Sequence, residues 1–308
     1  MDWESRRNAE RGIGGELAMA AYMEHKDLAN ESIGPERTRQ ITDGVHRVLD
    51  RIAEAERAAG REAGSVRLLA ATKTRDVGEI MAAIDAGVRM IGENRPQEVV
   101  AKVDGLRRLC GERGYALGAD GGDAAAGGNG GGGSDGDGDG GTSVVAGHIP
   151  FHLIGQLQSN KINKVLSVVD AIESVDSIEL AEKIARRAVA AGITVGVLLE
   201  VNESGEASKS GCDPALALDI ARRIGAMGGV DLQGLMTIGA HVDDERVIRA
   251  GFAHLRRLRE QILASGDPGT GHCRELSMGM TQDMELAIAE GSTIVRVGTA
   301  IFGERAFK

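Results

Sequence analysis

The sequence predicts an α/β protein built as a single (β/α)₈ barrel of the TIM type. Three observations predict it: eight short apolar runs, amphipathic stretches of helical period between them, and polar residues gathered where the runs end. The strand candidates are residues 66–72, 88–92, 151–154, 170–174, 194–201, 230–238, 274–277 and 293–297. An open doubly wound sheet ranks second, because no G-x-G-x-x-G motif follows the first strand.

Taken in order, residues 1–34 mix charges, glycine and small residues without a sustained period, and read as an N-terminal extension with a short helix around 16–24. From Pro35, suited to a first helical turn, Ile41, Val45, Val48, Leu49 and Ile52 recur at helical spacing up to a stop at Gly60. The run 66–72 then ends on Lys73. A lysine where a buried strand runs out keeps its stem in apolar surroundings and turns its amine to a cleft, the setting of a Schiff-base lysine; the position also suits a surface lysine opening a turn. Further helices are expected over 77–86, 97–109, 178–191, 214–224, 244–264 and 282–290, with a shorter one over 161–166.

Residues 111–147 break this rhythm. Rich in Gly, Ala and Asp with hardly a large apolar residue, they bury too little surface to offset ordering entropy and are expected to form a disordered, low-complexity insert. The insert falls in a helix-to-strand connection, on the barrel face opposite an active site. Its Asp135-Gly-Asp137-Gly-Asp139-Gly140 run imitates a calcium loop, but Ala146 stands where a bidentate glutamate is needed. The expected organisation is therefore an extension over 1–34 and one barrel over 35–308, interrupted by 111–147.

Composition narrows the partners. Lys plus Arg total 36 against 46 Asp plus Glu, and no basic run is interleaved with aromatics, which argues against nucleic acid and anionic membranes. Cys110, Cys212 and Cys273 lie far apart without a Cys-x-x-Cys pair, as in a reducing cytosol, and the apolar stretch 17–23 is too short to span a membrane. A cytoplasmic protein with a small-molecule partner is expected. His148 and His152 are four apart, but Pro150 between them removes the helical geometry of a metal pair, and Lys161, Lys164 and Lys209 read as solvated.

The strand ends carry what a core does not need. Strand one ends on Lys73, strand two on Gly92-Glu93-Asn94-Arg95, strand three contains His152, and strand five ends at Glu200. Strand seven supplies Ser277-Met278-Gly279, and strand eight Arg296-Val297-Gly298-Thr299. In barrels the loops after strands seven and eight often bind phosphate through backbone N–H groups, and Ser277, Gly279, Gly298 and Thr299 suit that cradle; each loop alone also fits simple capping and turning. An aldehyde-trapping lysine beside a phosphate cup is what pyridoxal 5'-phosphate requires, with Arg296 one strand end away to meet the pyridine nitrogen.

The stretches Ala70-Ala71-Thr72-Lys73-Thr74, Gly92-Glu93-Asn94-Arg95, His152-Leu153-Ile154-Gly155-Gln156 through Lys161, Ser208-Lys209-Ser210-Gly211, Gly234-Leu235-Met236-Thr237-Ile238 and Leu276-Ser277-Met278-Gly279-Met280-Thr281 resemble the pyridoxal phosphate homeostasis protein family, also called YggS-like. So does the final stretch over 291–304. The resemblance implies a barrel like the N-terminal domain of alanine racemase, with pyridoxal 5'-phosphate held as an aldimine on Lys73. It also implies phosphate contacts from Ser277, Gly298 and Thr299, an Arg296 contact to the pyridine nitrogen, and Asn94 and His152 lining the pocket. Pro96, where the family usually has an aliphatic residue, and the long insert depart from the pattern.

Two classes compete: an amino-acid racemase-like enzyme and a non-catalytic protein of vitamin B6 homeostasis that buffers and delivers the cofactor. A racemase of the alanine type needs a second acid/base, commonly a tyrosine from a further β-domain; this chain has only Tyr22 and Tyr115 and reaches Lys308 soon after strand eight. Arginine at the pyridine nitrogen keeps its own proton and leaves the ring a poorer electron sink. The non-catalytic reading is favoured, with apo-enzymes that receive the cofactor as partners and a monomer or weak dimer as the expected state.

Overall fold

Eight parallel strands close into a barrel in a computed structural model that describes residues 27–121, 147–206, 210–240 and 242–304. The helix expected over 16–24, Tyr22, the 135–140 run with Ala146, and Lys209 lie outside the described residues. In chain order the elements are α1 (Pro35–Ala58), β1 (Arg67–Ala71), α2 (Val77–Asp85), β2 (Ile91–Glu93), α3 (Pro96–Glu112), β3 (Tyr115–Leu117), β4 (Gly147–Ile149), β5 (Phe151–Leu153) and α4 (Ile162–Val165). They continue with β6 (Ala171–Val175), α5 (Ile178–Ala191), β7 (Val195–Glu200), α6 (Ala217–Gly225), β8 (Val230–Met236), α7 (Glu245–Ser265), β9 (Glu275–Ser277), α8 (Met284–Ala289), β10 (Ile294–Val297) and α9 (Thr299–Phe302). Around the barrel the order is β1-β10-β9-β8-β7-β6-β5-β2, so the first and last strands pair.

The eight expected strands are the eight of the barrel. The second begins at Ile91 instead of Val88, because the Val88 N–H still bonds back to the Ala83 carbonyl (3.0 Å) and finishes the preceding helix. The insert is shorter than its composition predicts. Gly111 and Glu112 complete α3, and β3 pairs with β4 in the register Tyr115↔Gly147, Ala116↔His148, Leu117↔Ile149. Leu117 and Ile149 are buried, so these few apolar residues suffice to order the edges once the two short strands meet.

Burial follows the period of two expected of strands. Leu68 and Ala70 face the large core shared with the helices, whereas Leu69 points into the barrel with Met90 and Ile294. Gly92 leaves room there: a Cβ on it would lie 2.5 Å from Leu69 Cδ2. Outside, α1 lays Ile41, Val45, Val48 and Ile52 onto the core. The stretch before α1 is tied down as well, since the Leu28 and Asn30 carbonyls accept from Val77 (3.1 Å) and Gly78 (2.9 Å), two N–H groups that α2 itself leaves without partners. No described helix is long and apolar enough to cross a membrane.

Candidate functional site

Closure of the barrel brings together residues that are remote in sequence. The β1–β10 register pairs Leu69 with Arg296 and Ala70 with Val297, so Lys73 and the Gly298-Thr299 pair leave neighbouring strands at the same end. There a cavity of about 280 Å³ is lined by Ala71, Lys73, Arg75, Arg296, Gly298 and Thr299, with Met280, Thr281, Gln282 and Asp283 from the loop after β9. Four of the seven residues singled out from sequence thus share one cavity.

The backbone around Lys73 is bent and braced. Thr74 has φ 65°, in the left-handed region that a β-branched residue rarely enters, a strain of roughly 1–3 kcal/mol. Its N–H donates to Glu98 Oε2 at 2.7 Å. The Thr72 carbonyl accepts from the Arg75 N–H (3.0 Å) and from Lys102 Nζ (3.0 Å). Asp76 closes the turn by capping α2 in a capping box with Glu79.

Inside the barrel the inward rows change from apolar to charged on approaching the strand ends. Ala171 is followed two residues later by Glu173, Leu198 by Glu200, and Ile294 by Arg296. Glu173 is fully buried and central. Its Oε1 lies 2.7 Å from His152 Nδ1, and its Oε2 accepts from Ser277 Oγ at 2.5 Å. Burial alone would raise the Glu173 carboxyl, but the His152 bond and charge, the Arg296 charge and the Ser277 bond outweigh it and hold it below the usual carboxylate range. Arg296 Nη1 donates to the carbonyl (2.6 Å) and hydroxyl (2.7 Å) of Ser277, and Nη2 to the Thr237 carbonyl (2.7 Å). Among the described residues Nε is the guanidinium nitrogen with no hydrogen-bond partner.

Ser277 and His152 therefore belong to one internal network, with the Ser277 hydroxyl shared between Glu173 and Arg296. Asn94, just past β2, has a buried Oδ1 that finds no partner among the described residues. On the opposite wall Glu200 is pushed up to about 7 by burial and by the Asp176 charge, against the opposing pull of Arg296 and Ser210.

The loops after β9 and β10 are shaped for close backbone approach. Gly279 has φ 94°, and a Cβ on it would lie 2.6 Å from the Ala287 Cβ. At Gly298 a Cβ would stand 3.1 Å from the Ala71 carbonyl oxygen, narrowing the cavity wall. The Gly298 carbonyl accepts from Ile301 and Phe302, which leaves the Thr299 and Ala300 N–H groups at the start of α9 without an intrahelical partner. Such groups at a cavity edge suit an anion.

Glu173, Glu98 and Lys102 were not apparent from sequence as site residues. The signal for Glu173 is a carboxylate in the middle of a five-residue strand whose other positions are apolar or small; the Glu98 and Lys102 signal is only an i, i+4 charge pair, which usually marks a solvated helix face.

The sequence matches the alanine racemase N-terminal domain family over residues 48–306. The pyridoxal phosphate homeostasis protein of Aquifex aeolicus (strain VF5) is 33% identical over 263 residues, covering 85% of this chain and 97% of that protein. Its counterpart in Vibrio cholerae serotype O1 is 35% identical over 267 residues, 87% of this chain and 97% of that one. Among solved structures, an unknown protein from Bifidobacterium adolescentis is 73% identical with a TM-score of 0.81, covering 90% of this chain and all of that chain. PipY of Synechococcus elongatus PCC7942, solved with PLP bound, is 31% identical with a TM-score of 0.61, covering 82% of this chain and all of PipY. Alanine racemase from Clostridium difficile 630, at 12% identity and a TM-score of 0.56 over 84% of this chain and 60% of that one, shares the fold.

Proposed function

The chain belongs to the pyridoxal phosphate homeostasis protein family, and from that membership we propose that it binds pyridoxal 5'-phosphate and serves intracellular homeostasis of the cofactor by buffering and delivering it. The observation that carries this reading is the single cavity joining Lys73, Arg296, Gly298 and Thr299 at the mouth of β1 and β10. The residues suit the group. Lys73 would hold the group through its amine, which supplies the nucleophile that an aldehyde needs. The Thr299 and Ala300 N–H groups and the Thr299 hydroxyl would serve the phosphate, while the Ser277 hydroxyl is engaged between Glu173 and Arg296. Arg296 has Nε–H left to donate to the ring nitrogen. Asn94 Oδ1 is a buried acceptor without a donor among the described residues, and His152 bonds Glu173, which in turn bonds Ser277 next to Arg296.

We read the protein as non-catalytic. Arg296 is fixed by three hydrogen bonds and faces Glu173, so it stays a guanidinium donor and does not protonate the ring nitrogen. Tyr115 sits in β3 beneath Arg89 (5.0 Å to the ring centre), next to the strand that runs into the start of β5, at the face opposite the cavity. The test is spectral titration with pyridoxal 5'-phosphate alongside α-proton exchange of amino acids in D₂O. Saturable binding without exchange is expected; exchange at enzymatic rates would return the racemase-like reading.

A further inference from the structure

Lys102 is completely buried on α3, with Nζ bonded to Glu93 Oε1 (2.5 Å), Glu98 Oε2 (2.9 Å) and the Thr72 carbonyl (3.0 Å). Glu98 in turn accepts the Thr74 N–H. A buried ion pair contributes little to stability compared with an apolar core of the same volume, so one whose hydrogen bonds end on the two residues flanking a single side chain points to a positional task. We propose that the Glu98–Lys102 pair is a clamp that positions Lys73, holding the Thr72 carbonyl on one side and the strained Thr74 amide on the other. The inference rests on the reading of Lys73 as the anchor of pyridoxal 5'-phosphate.

The physical logic is that Thr74 stays at φ 65° only while its surroundings over-determine it. Release of the Thr74 N–H lets the chain relax to an extended conformation and turns the preceding residue away from the cavity. The charges favour a clean test. Burial and the Glu98 charge push the Glu93 carboxyl up, and both carboxylates bond the one lysine, so neutralising Glu98 leaves Lys102 paired one-to-one with Glu93.

Two variants of the full chain separate positioning from mere support. Glu98→Gln keeps a side-chain oxygen that can accept from Thr74, whereas Glu98→Met keeps the length and removes the acceptor. In the ligand-free protein, amide exchange at Thr74 is expected to quicken at least about tenfold in Glu98→Met and to stay within about threefold of the parent in Glu98→Gln. Affinity for pyridoxal 5'-phosphate should follow the same order, with a loss of about tenfold in Glu98→Met only. Parental exchange at Thr74 in Glu98→Met, or equal affinity in both variants whatever their melting temperatures, overturns the clamp. If the parent protein itself takes up no pyridoxal 5'-phosphate, the anchor reading fails, and the exchange measurement still decides whether the clamp exists.

Discussion

Replacing Glu173 by glutamine keeps the shape of the barrel interior and removes one charge. In the parent chain that carboxylate faces buried Arg296 through the Ser277 hydroxyl and bonds His152 directly, and all four residues are buried. Breaking a buried ion pair by removing one partner typically costs about 3–5 kcal/mol. The lower figure applies here, because Glu173 meets Arg296 through the Ser277 hydroxyl without a direct ion pair, and Glu200 and Asp283 also compensate part of the Arg296 charge. Glutamine also presents an NH₂ group where the parent oxygens accept from two neighbours, which His152 can accommodate by changing tautomer but the Ser277–Arg296 pair less readily. For a chain of this size about 3 kcal/mol corresponds to a fall in Tm of roughly 5–6 °C. Calorimetric or urea unfolding of both proteins measures it. The pH dependence has a definite sign: a carboxyl held below its ordinary value contributes stability above about pH 4.3, lost as pH falls towards the folded-state value. The gap between parent and Glu173→Gln should therefore be widest near neutrality and close on acidification. Equal unfolding midpoints at pH 7 would refute the claim that Glu173 balances Arg296.

Three further outcomes follow from the geometry. Gly279→Ala should lose roughly 2–4 kcal/mol of unfolding free energy, from its φ of 94° and the 2.6 Å approach to Ala287, read as a lower urea midpoint at unchanged m-value. Thr299→Val removes a side-chain donor at the cavity edge and should weaken binding of pyridoxal 5'-phosphate about fivefold while leaving pyridoxal, which lacks the phosphate, unaffected; equal losses for both ligands would move the phosphate elsewhere. Glu200→Gln should stabilise the protein at pH 8, by of order 1 kcal/mol or more, and have little effect at pH 5, because a carboxyl pushed up to about 7 opposes folding once ionised and gains a proton as pH falls. The same advantage at both values would contradict the assignment.

The barrel was legible because each strand is bounded by a change of period: Val195–Glu200 is an unbroken apolar run ending in one carboxylate, and α5 follows its predicted span from Ile178 to Ala191. Lys73 was legible for the same reason, as the charge that stops β1. The meeting of the β1 end with Gly298 and Thr299 follows from the expected barrel, whose last strand returns to the first. What stayed hidden depends on three-dimensional pairing. Lys102 and Glu98 look like an exposed helix pair until α3 is packed with Glu93 beneath it. The ordered edges of the insert escaped notice because Tyr115 and Leu117 are too few to signal a strand until β4 lies beside them. Ser277 was read as a phosphate ligand from its loop, without sight of Glu173 or of the hydrogen bond it would give to that carboxylate.

The most direct test of the central claim is to equilibrate the full chain with pyridoxal 5'-phosphate, reduce it with borohydride and map the modified peptide by mass. The account predicts one pyridoxyl phosphate group, on Lys73, absent from Lys73→Ala. A group spread over surface lysines, or placed at another single lysine with Lys73 unmodified, would contradict it.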